Sequence, residues 1–404
     1  MDYCDCLIVG GGPAGSSCAR ALVSAGLDVV VLDKAAFPRD KVCAGWITPA
    51  VVDELALDLN DYRSRHTLQP ITGFRTGLFG RRQIETSYDR VVSYGIRRCE
   101  FDSYLLQRSA ARLRLGEPLD DLRREGAQWV VNGSIRTPLL VGAGGHFCPV
   151  AKRLSSDDGQ ASAVVLAQEI EFEMSPHEAS QCRVAGEIPE LFFCDDLRGY
   201  GWCFRKQNFL NIGMGREGDS QLAAKVVSFC KILQDEGRIP AGVQARFRGH
   251  AYRLYPGRPR RIVADGALLI GDSAGLAGPQ SGEGIRPAIE SGLLAATEIV
   301  AAAGDYRQSS LARFETRIAD RFGSPTKAVR RPWLPEAWRS AVGRLFLATH
   351  WFTRHIVIDR WFLHSHQPSL AWPRKERTDH HGNTCTSSAS NGRDRVKSRT
   401  RSSG

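Results

Sequence analysis

The stretch from Asp5 to Asp33 constrains this chain more than any other. Cys6-Leu7-Ile8-Val9 is a short apolar run of strand character, Gly10-Gly11-Gly12-Pro13-Ala14-Gly15 interrupts it, and a helical pattern carrying Ala19, Ala21, Leu22, Val23 and Ala25 follows. A second run, Asp28-Val29-Val30-Val31-Leu32, then delivers Asp33 eighteen residues after Gly15. That is near the distance at which a dinucleotide site places the acid that binds a ribose. Three of the glycines have distinct physical roles. Gly10 permits the turn, Gly12 lets the backbone approach a pyrophosphate, and Gly15 lets helix and strand pack closely. The helix N-terminus then points free N–H groups at the anion. A glycine-rich turn without a ligand is the plainer alternative, but the strand–turn–helix–strand–acid context is complete.

The 404-residue chain is long enough for two domains, and its 42% hydrophobic content supports a sizeable core. Half of the formal charge of +10 sits between Arg374 and Gly404, where eight Lys or Arg stand against three Asp or Glu. The body is therefore only mildly basic. Eleven cysteines are scattered without a C-x-x-C pair, which indicates neither a metal site nor a disulfide framework; reduced thiols and a cytoplasmic location are expected. The N-terminus enters a strand rather than a signal peptide, and no apolar run reaches membrane-spanning length.

Beyond Asp33, the loop from Lys34 to Trp46 is polar and marked by Gly and Pro, a position from which a loop beside a dinucleotide site can carry function. Residues 60 to 97 read as strands and turns without a clear signal. A helix pattern runs from Phe101 to Leu113, and Pro138 to Gly145 reads as a buried strand ending in a glycine turn. From about Ala163 to Tyr255 strands and turns alternate. Tyr200 to Phe204 and Leu210 to Met214 read as a β-hairpin that puts Tyr200, Trp202 and Phe204 on one face, either as core or as ligand floor. A further strand runs into Gly271-Asp272 and a loop holding five glycines between Gly271 and Gly284, ahead of a helix from about Ile285 to Ala303. This supplies a second carboxylate and a second helix N-terminus.

These stretches together resemble the FAD-dependent oxidoreductases of the geranylgeranyl reductase type, within the wider group that includes aromatic-ring hydroxylases. The resemblance covers about residues 3 to 325. Pro38-Arg39-Asp40-Lys41-Val42-Cys43-Ala44-Gly45 is similar to a P-x-x-K-x-C-G-G loop, and Arg98-x-x-Phe101-Asp102 to an R-x-x-F-D helix start. Gly199 to Lys206 is similar to a G-Y-G-W-x-F-P-K hairpin, and Gly271 to Gly284 to the long G-D-x-A-G…P-x-x-G-E-G signature. The chain departs from the pattern at Gly144-Gly145, where an Asp-Gly pair is usual, at Arg205 in place of the hairpin Pro, and at Ala44 in place of a loop glycine.

The resemblance implies an α/β fold: a doubly wound, Rossmann-like FAD-binding domain with an inserted antiparallel β substrate domain and a helical C-terminal region. The expected segments are 1–60, 95–162 and 262–325 for the FAD domain, 61–94 and 163–261 for the substrate or lid domain, 326–372 for the helical region, and 373–404 for a disordered basic tail. It also implies an FAD site drawing on Gly10, Gly12, Pro13, Ala14, Gly15, Asp33, Lys34, Cys43, Ala44, Arg98, Gly271 and Asp272, with Gly282, Glu283, Gly284 and Ile285 edging the ring. Cys43, Trp202 and Tyr200 are the candidate catalytic residues, although a lone cysteine reads equally as an inert small hydrophobe. Reduced NAD(P)H or another external donor would visit transiently, since no second dinucleotide fingerprint exists.

Three functions compete: reduction of carbon–carbon double bonds in an apolar isoprenoid-like substrate, hydroxylation of an aromatic or polyketide-like one, and a catalytically idle flavin-binding module. The basic tail lacks the aromatic interleaving of a nucleic-acid binder, so none is expected as partner. Between Lys327 and Arg360 seven basic residues stand against Glu336 and Asp359. Trp338, Val342, Leu345, Phe346, Phe352 and Ile356 recur there at near-helical spacing. That face is read either as core of a helical bundle or as a surface resting on an anionic membrane.

Overall fold

The structure is a computed structural model that describes residues 1–154, 164–218, 221–243, 246–255, 261–323 and 336–371. Cys6–Val9 lies inside a six-stranded sheet of order Val263–Ala264, Ala267–Leu269, Leu139–Gly142, Cys6–Val9, Val29–Asp33, Arg112–Leu115. The first pair is antiparallel and every other pair is parallel. The three central strands bury every residue, as unbroken apolar runs must when both faces of a parallel sheet are covered. Val9 pairs with Leu32 and Gly142, and Gly142 with Leu269, so these strands end along one edge.

Helix α1 (Pro13–Ser24) follows the first of these strands, and helix α2 (Ile285–Ala301) packs against α1. Their crossing depends on Gly292, where a Cβ would fall 2.4 Å from the Ala14 carbonyl oxygen. Small residues on α1 (Ala14, Cys18, Ala21) complete the close approach.

The second large sheet has seven strands, in the order Arg248–Arg253, Val164–Glu173, Phe209–Glu217, Gly199–Lys206, Glu190–Phe193, Gly73–Leu78, Ile84–Ser87. It differs from the antiparallel expectation in one pair, Glu190–Phe193 against Gly73–Leu78, which is parallel. The hairpin is tighter than its spacing suggests: Lys206 pairs with Phe209 across Gln207-Asn208, and Gln207 takes a φ of 55°. Alternation along Gly199–Lys206 sends Trp202 and Phe204 to one face and Cys203 to the other. The Cys203 face is covered by the helix Leu222–Asp235 through Val226, Phe229 and Leu233.

Two small sheets carried no sequence signal. Trp46–Ile47, Ser93–Ile96 and Leu68–Ile71 form one; Asp2–Tyr3, Ile135–Thr137, Gln128–Val131 and Leu122–Glu125 form the other. The expected disordered tail lies outside the described residues.

Replacing Gly292 by Val should force α1 and α2 apart and cost about 1–3 kcal/mol. Chemical denaturation of the full chain measures it, against Gly249→Ala, whose Cβ would meet nothing nearer than 3.9 Å and should change stability by less than about 0.5 kcal/mol.

Candidate functional site

A cavity of about 670 Å³ opens where the parallel strands end, the crevice that doubly wound sheets reserve for ligands. Of the residues singled out in the sequence, Gly10, Gly12, Pro13, Ala14, Asp33, Lys34, Cys43, Ala44, Arg98, Tyr200, Trp202, Asp272 and the run Gly282 to Ile285 line it. Gly15 and Gly271 do not. Gly15 sits behind the wall, where a Cβ would collide with the Gly10 carbonyl at 1.9 Å. Gly271, at a φ of 59°, abuts the Ala14 methyl.

The α1 end of the cavity suits an anion. Gly12 caps α1 without a side chain, and no acid stands in the first turn, so the helix N-terminus keeps its positive end open. Asp33 accepts hydrogen bonds from the Gly11 and Ala35 N–H groups at 2.7 and 2.9 Å, which fixes the carboxylate beside the turn with lone pairs remaining for a ligand hydroxyl. Arg39 reaches over from the loop: its guanidinium stacks on Phe37 at 4.7 Å, lies 3.4 Å from Asp102, and approaches the position a Gly12 Cβ would take. Sequence reading passed over Arg39, which lies inside a motif but at one of its variable positions.

The middle of the cavity is crossed by charge. Lys41 contacts His250 Nε2, and His250 lies 3.7 Å from the Asp272 carboxylate. Burial pushes Lys41 down to about 8, opposed by Asp272. Burial would raise Asp272, but the hydrogen bond from His250 and the charge of Lys41 hold it below the usual carboxylate range. Arg98 forms a two-pronged pair with Asp102 at 2.8 and 2.9 Å, and this outweighs burial in keeping its guanidinium charged. His250 lies on a strand far along the chain from Lys41 and gave no motif.

At the remaining end, Trp46, Tyr200, Trp202 and Tyr252 form an aromatic wall facing Cys43 and Gly282–Ile285. Tyr200 donates to the Ser281 carbonyl at 2.5 Å and lies 5.3 Å from the Phe362 ring behind it, and Trp46 lies 5.2 Å from Phe204 and 5.7 Å from Phe362. The aromatic face of the hairpin is thus both core and cavity floor.

Beneath the apolar floor runs a polar network that sequence reading missed. Trp202 Nε1 donates to Asn211 Oδ1 at 2.7 Å; Asn211 Nδ2 donates to the Cys43 carbonyl at 3.2 Å and to Glu169 at 3.3 Å. Lys206 bridges the Ile96 carbonyl and Glu171, each at 2.8 Å. Burial pushes Glu169 up to about 7, against the backbone hydrogen bond from Cys43 and the charge of Lys206. These groups fix the Cys43 loop and the Trp202 ring to one sheet.

The residues present fit FAD. An uncapped helix start beside a glycine turn suits a pyrophosphate, Asp33 and Asp272 suit ribose and ribityl hydroxyls, and the Gly282–Ile285 backbone leads into the N-terminus of α2 beside an aromatic wall.

Comparisons with known proteins agree. The family profile described as FAD dependent oxidoreductase matches residues 5–94. The menaquinone reductase of Mycobacterium tuberculosis is 30% identical over 355 residues, covering 82% of this chain and 83% of that protein. The chloroplastic geranylgeranyl diphosphate reductase of Oryza sativa subsp. japonica is 29% identical over 353 residues, covering 80% and 72%. In fold, the chain is similar to a geranylgeranyl bacteriochlorophyll reductase-like protein from Thermoplasma acidophilum, with a TM-score of 0.67 at 20% identity over 86% of this chain and 88% of that one.

Two outcomes are expected at this site. Gly12→Ala adds a methyl with room to sit, 3.4 Å from Arg39, on the floor where a phosphate must meet backbone. It should leave the fold intact and weaken FAD binding about tenfold or more by fluorescence titration. For Glu169, the folded carboxyl holds its proton to about 7 against 4.5 when unfolded. Wild-type stability should therefore fall as pH rises from 4.5 through 7, by up to about 3 kcal/mol, and Glu169→Gln should flatten that segment of the curve. Denaturation at pH 5 and pH 8 reads the difference.

Proposed function

The chain belongs to the FAD-dependent oxidoreductases of the geranylgeranyl reductase type, and on that premise we propose that it reduces carbon–carbon double bonds of an apolar, isoprenoid-like substrate. The observation that carries the reading is the juxtaposition of an aromatic floor, Trp46, Tyr200 and Trp202, with the Cys43 loop and the Gly282–Ile285 backbone in one cavity. An aromatic floor offers a polyprenyl chain apolar contact, and the Tyr200 hydroxyl and the Trp202 N–H are already satisfied by the Ser281 carbonyl and Asn211. Relatives named for menaquinone and for geranylgeranyl diphosphate support this class, since both molecules carry polyprenyl chains.

Reduced FAD, when bound, supplies the hydride. The chain's own residues do the rest. Gly12, Asp33 and Asp272 would hold the cofactor, with Arg39 supplying a cation beside the α1 N-terminus. Tyr200 and Trp202 orient the apolar chain and exclude water, Trp202 locked by Asn211. Cys43 Sγ holds the proton that completes saturation of the bond. Electrons arrive from an external donor, with reduced NAD(P)H the first to test.

Anaerobic incubation of the pre-reduced protein with a polyprenyl lipid should give a product heavier by one hydrogen molecule for each reduced bond, by mass spectrometry. A product formed only with oxygen, and heavier by one oxygen atom, would instead identify a hydroxylase; no product either way would identify an idle flavin module. Cys43→Ala should keep stoichiometric FAD and lower turnover by about 10²-fold or more, with the drop concentrated in kcat. An unchanged rate would remove Cys43 from the reaction.

A further inference from the structure

Helix α3 (Glu336–Leu347) presents Val342, Leu345 and Phe346 outward. Its inner row is Ser340, Gly343 and Leu347, with Arg344 half-exposed at the edge of that row. Ser340 Oγ donates to the Asp196 carbonyl at 3.4 Å, Arg344 donates to the Asp195 carbonyl at 3.1 Å, and a Cβ on Gly343 would fall 2.4 Å from the Leu197 side chain. The outer row is Val342, Leu345 and Phe346, which are 43, 71 and 49% exposed, and Trp351 just beyond the helix is 64% exposed. Sequence spacing put Val342, Leu345 and Phe346 on one face with Trp338, Phe352 and Ile356; the structure separates a buried set, Leu347, Val357, Ile358 and Phe362, from the exposed one. Trp338 lies among side chains outside the described set.

Exposed apolar side chains are common singly, but these are not single. Among the described residues, eleven large hydrophobics are strongly exposed, and four of them fall within residues 342–351. Phe346 contacts Phe352 at 5.3 Å and Phe352 contacts Trp361 at 5.8 Å, which joins the outer row to the half-buried aromatics behind it. From Ser340 to Leu363 the charged residues are Arg344, Arg354, Arg360 and Asp359. Asp359 is occupied by the Tyr88 hydroxyl at 2.6 Å.

We propose that this face, Val342, Leu345, Phe346 and Trp351 with its arginine rim, docks on the surface of an anionic lipid bilayer. Aromatic and aliphatic side chains among arginines suit the boundary between headgroups and acyl chains, and the rim complements anionic headgroups. No described helix is long and apolar enough to cross a membrane, so the contact is interfacial. A second copy of the chain suits the face less well, because a two-fold contact would set the arginine rim against itself. The same segment reaches the cavity wall through Phe362, which touches Trp46 and Tyr200. The docked face is therefore joined by packed side chains to the chamber. That a lipid-borne substrate enters there rests on the function proposed above; the docking does not.

The experiment is co-sedimentation of the full chain with vesicles of phosphatidylcholine containing phosphatidylglycerol, without substrate, beside the triple variant Leu345→Glu, Phe346→Glu, Trp351→Glu. The variant keeps every basic residue, including those beyond residue 372. Wild type should sediment, and the variant's sedimented fraction should fall roughly tenfold or more while its FAD content and melting curve stay unchanged. Wild type remaining in the supernatant at low salt overturns the proposal. So does equal sedimentation of the variant, which would assign adsorption to charge elsewhere. A wild-type dimer that ignores vesicles, with a monomeric variant, would make the face a contact between copies and overturn it as well. Because no turnover is read, failure of the docking and failure of the reductase reading are separable.

Discussion

A side chain at Gly15 would place its first carbon 1.9 Å from the Gly10 carbonyl oxygen, so the turn and the helix that follows it touch backbone to backbone. That contact sets where the α1 N-terminus points. With it, the N-terminal N–H groups lie at the ends of the strands, next to the Asp33 carboxylate that braces the turn through the Gly11 N–H. Gly292 repeats the constraint from outside, allowing α2 to lie on the Ala14 carbonyl and present its own N-terminus, Gly284–Ile285, to the same cavity. Two helix ends converge on one crevice because three glycines let main chains meet.

The chamber beyond the crevice is organised by the opposite means, buried polarity under an apolar floor. Trp202 has an N–H that must be satisfied once its ring is buried, and Asn211 both satisfies it and ties down the Cys43 loop. A second buried network closes the far side. Arg286 on α2 pairs with Glu290 at 2.7 Å and donates to the Gln367 and Pro368 carbonyls at 3.0 Å, while Glu54 accepts the Leu370 N–H at 2.9 Å. Burial, with the neighbouring Glu290 carboxylate, pushes Glu54 up to about 8. His364 lies 3.0 Å from Glu283, so the C-terminal segment reaches the residues that edge the cavity.

The glycine turn, its acid and the long loop at Gly271–Gly284 were legible because each combines a periodic apolar run with residues that a specific backbone geometry requires. Tyr200 and Trp202 were legible from alternation, though not their double role. Lys41 with His250, and Glu169 with Asn211, were not. A polar residue pointing into a sheet has the same spacing as one pointing to water, and only the pairing of strands distant in sequence distinguishes them. The parallel pair of Glu190–Phe193 with Gly73–Leu78 was hidden for a related reason, since its partners lie far apart in the chain. In helix α3 the apolar row was visible, but period alone does not say which row faces the protein.

The strand order has a further consequence, for synthesis. Cys6–Val9 is made before either of its neighbours, Val29–Asp33 and Leu139–Gly142, and the latter is flanked by the still later Ala267–Leu269. At roughly 5–20 residues per second of translation, the last of these strands follows the first by on the order of tens of seconds. Until then the glycine turn has no complete sheet behind it and no α2 beside it, and Phe362 and the Arg286-bound carbonyls come later still. The nucleotide cradle is begun with the glycine turn and completed only after Ala267–Leu269 and α2 have been made.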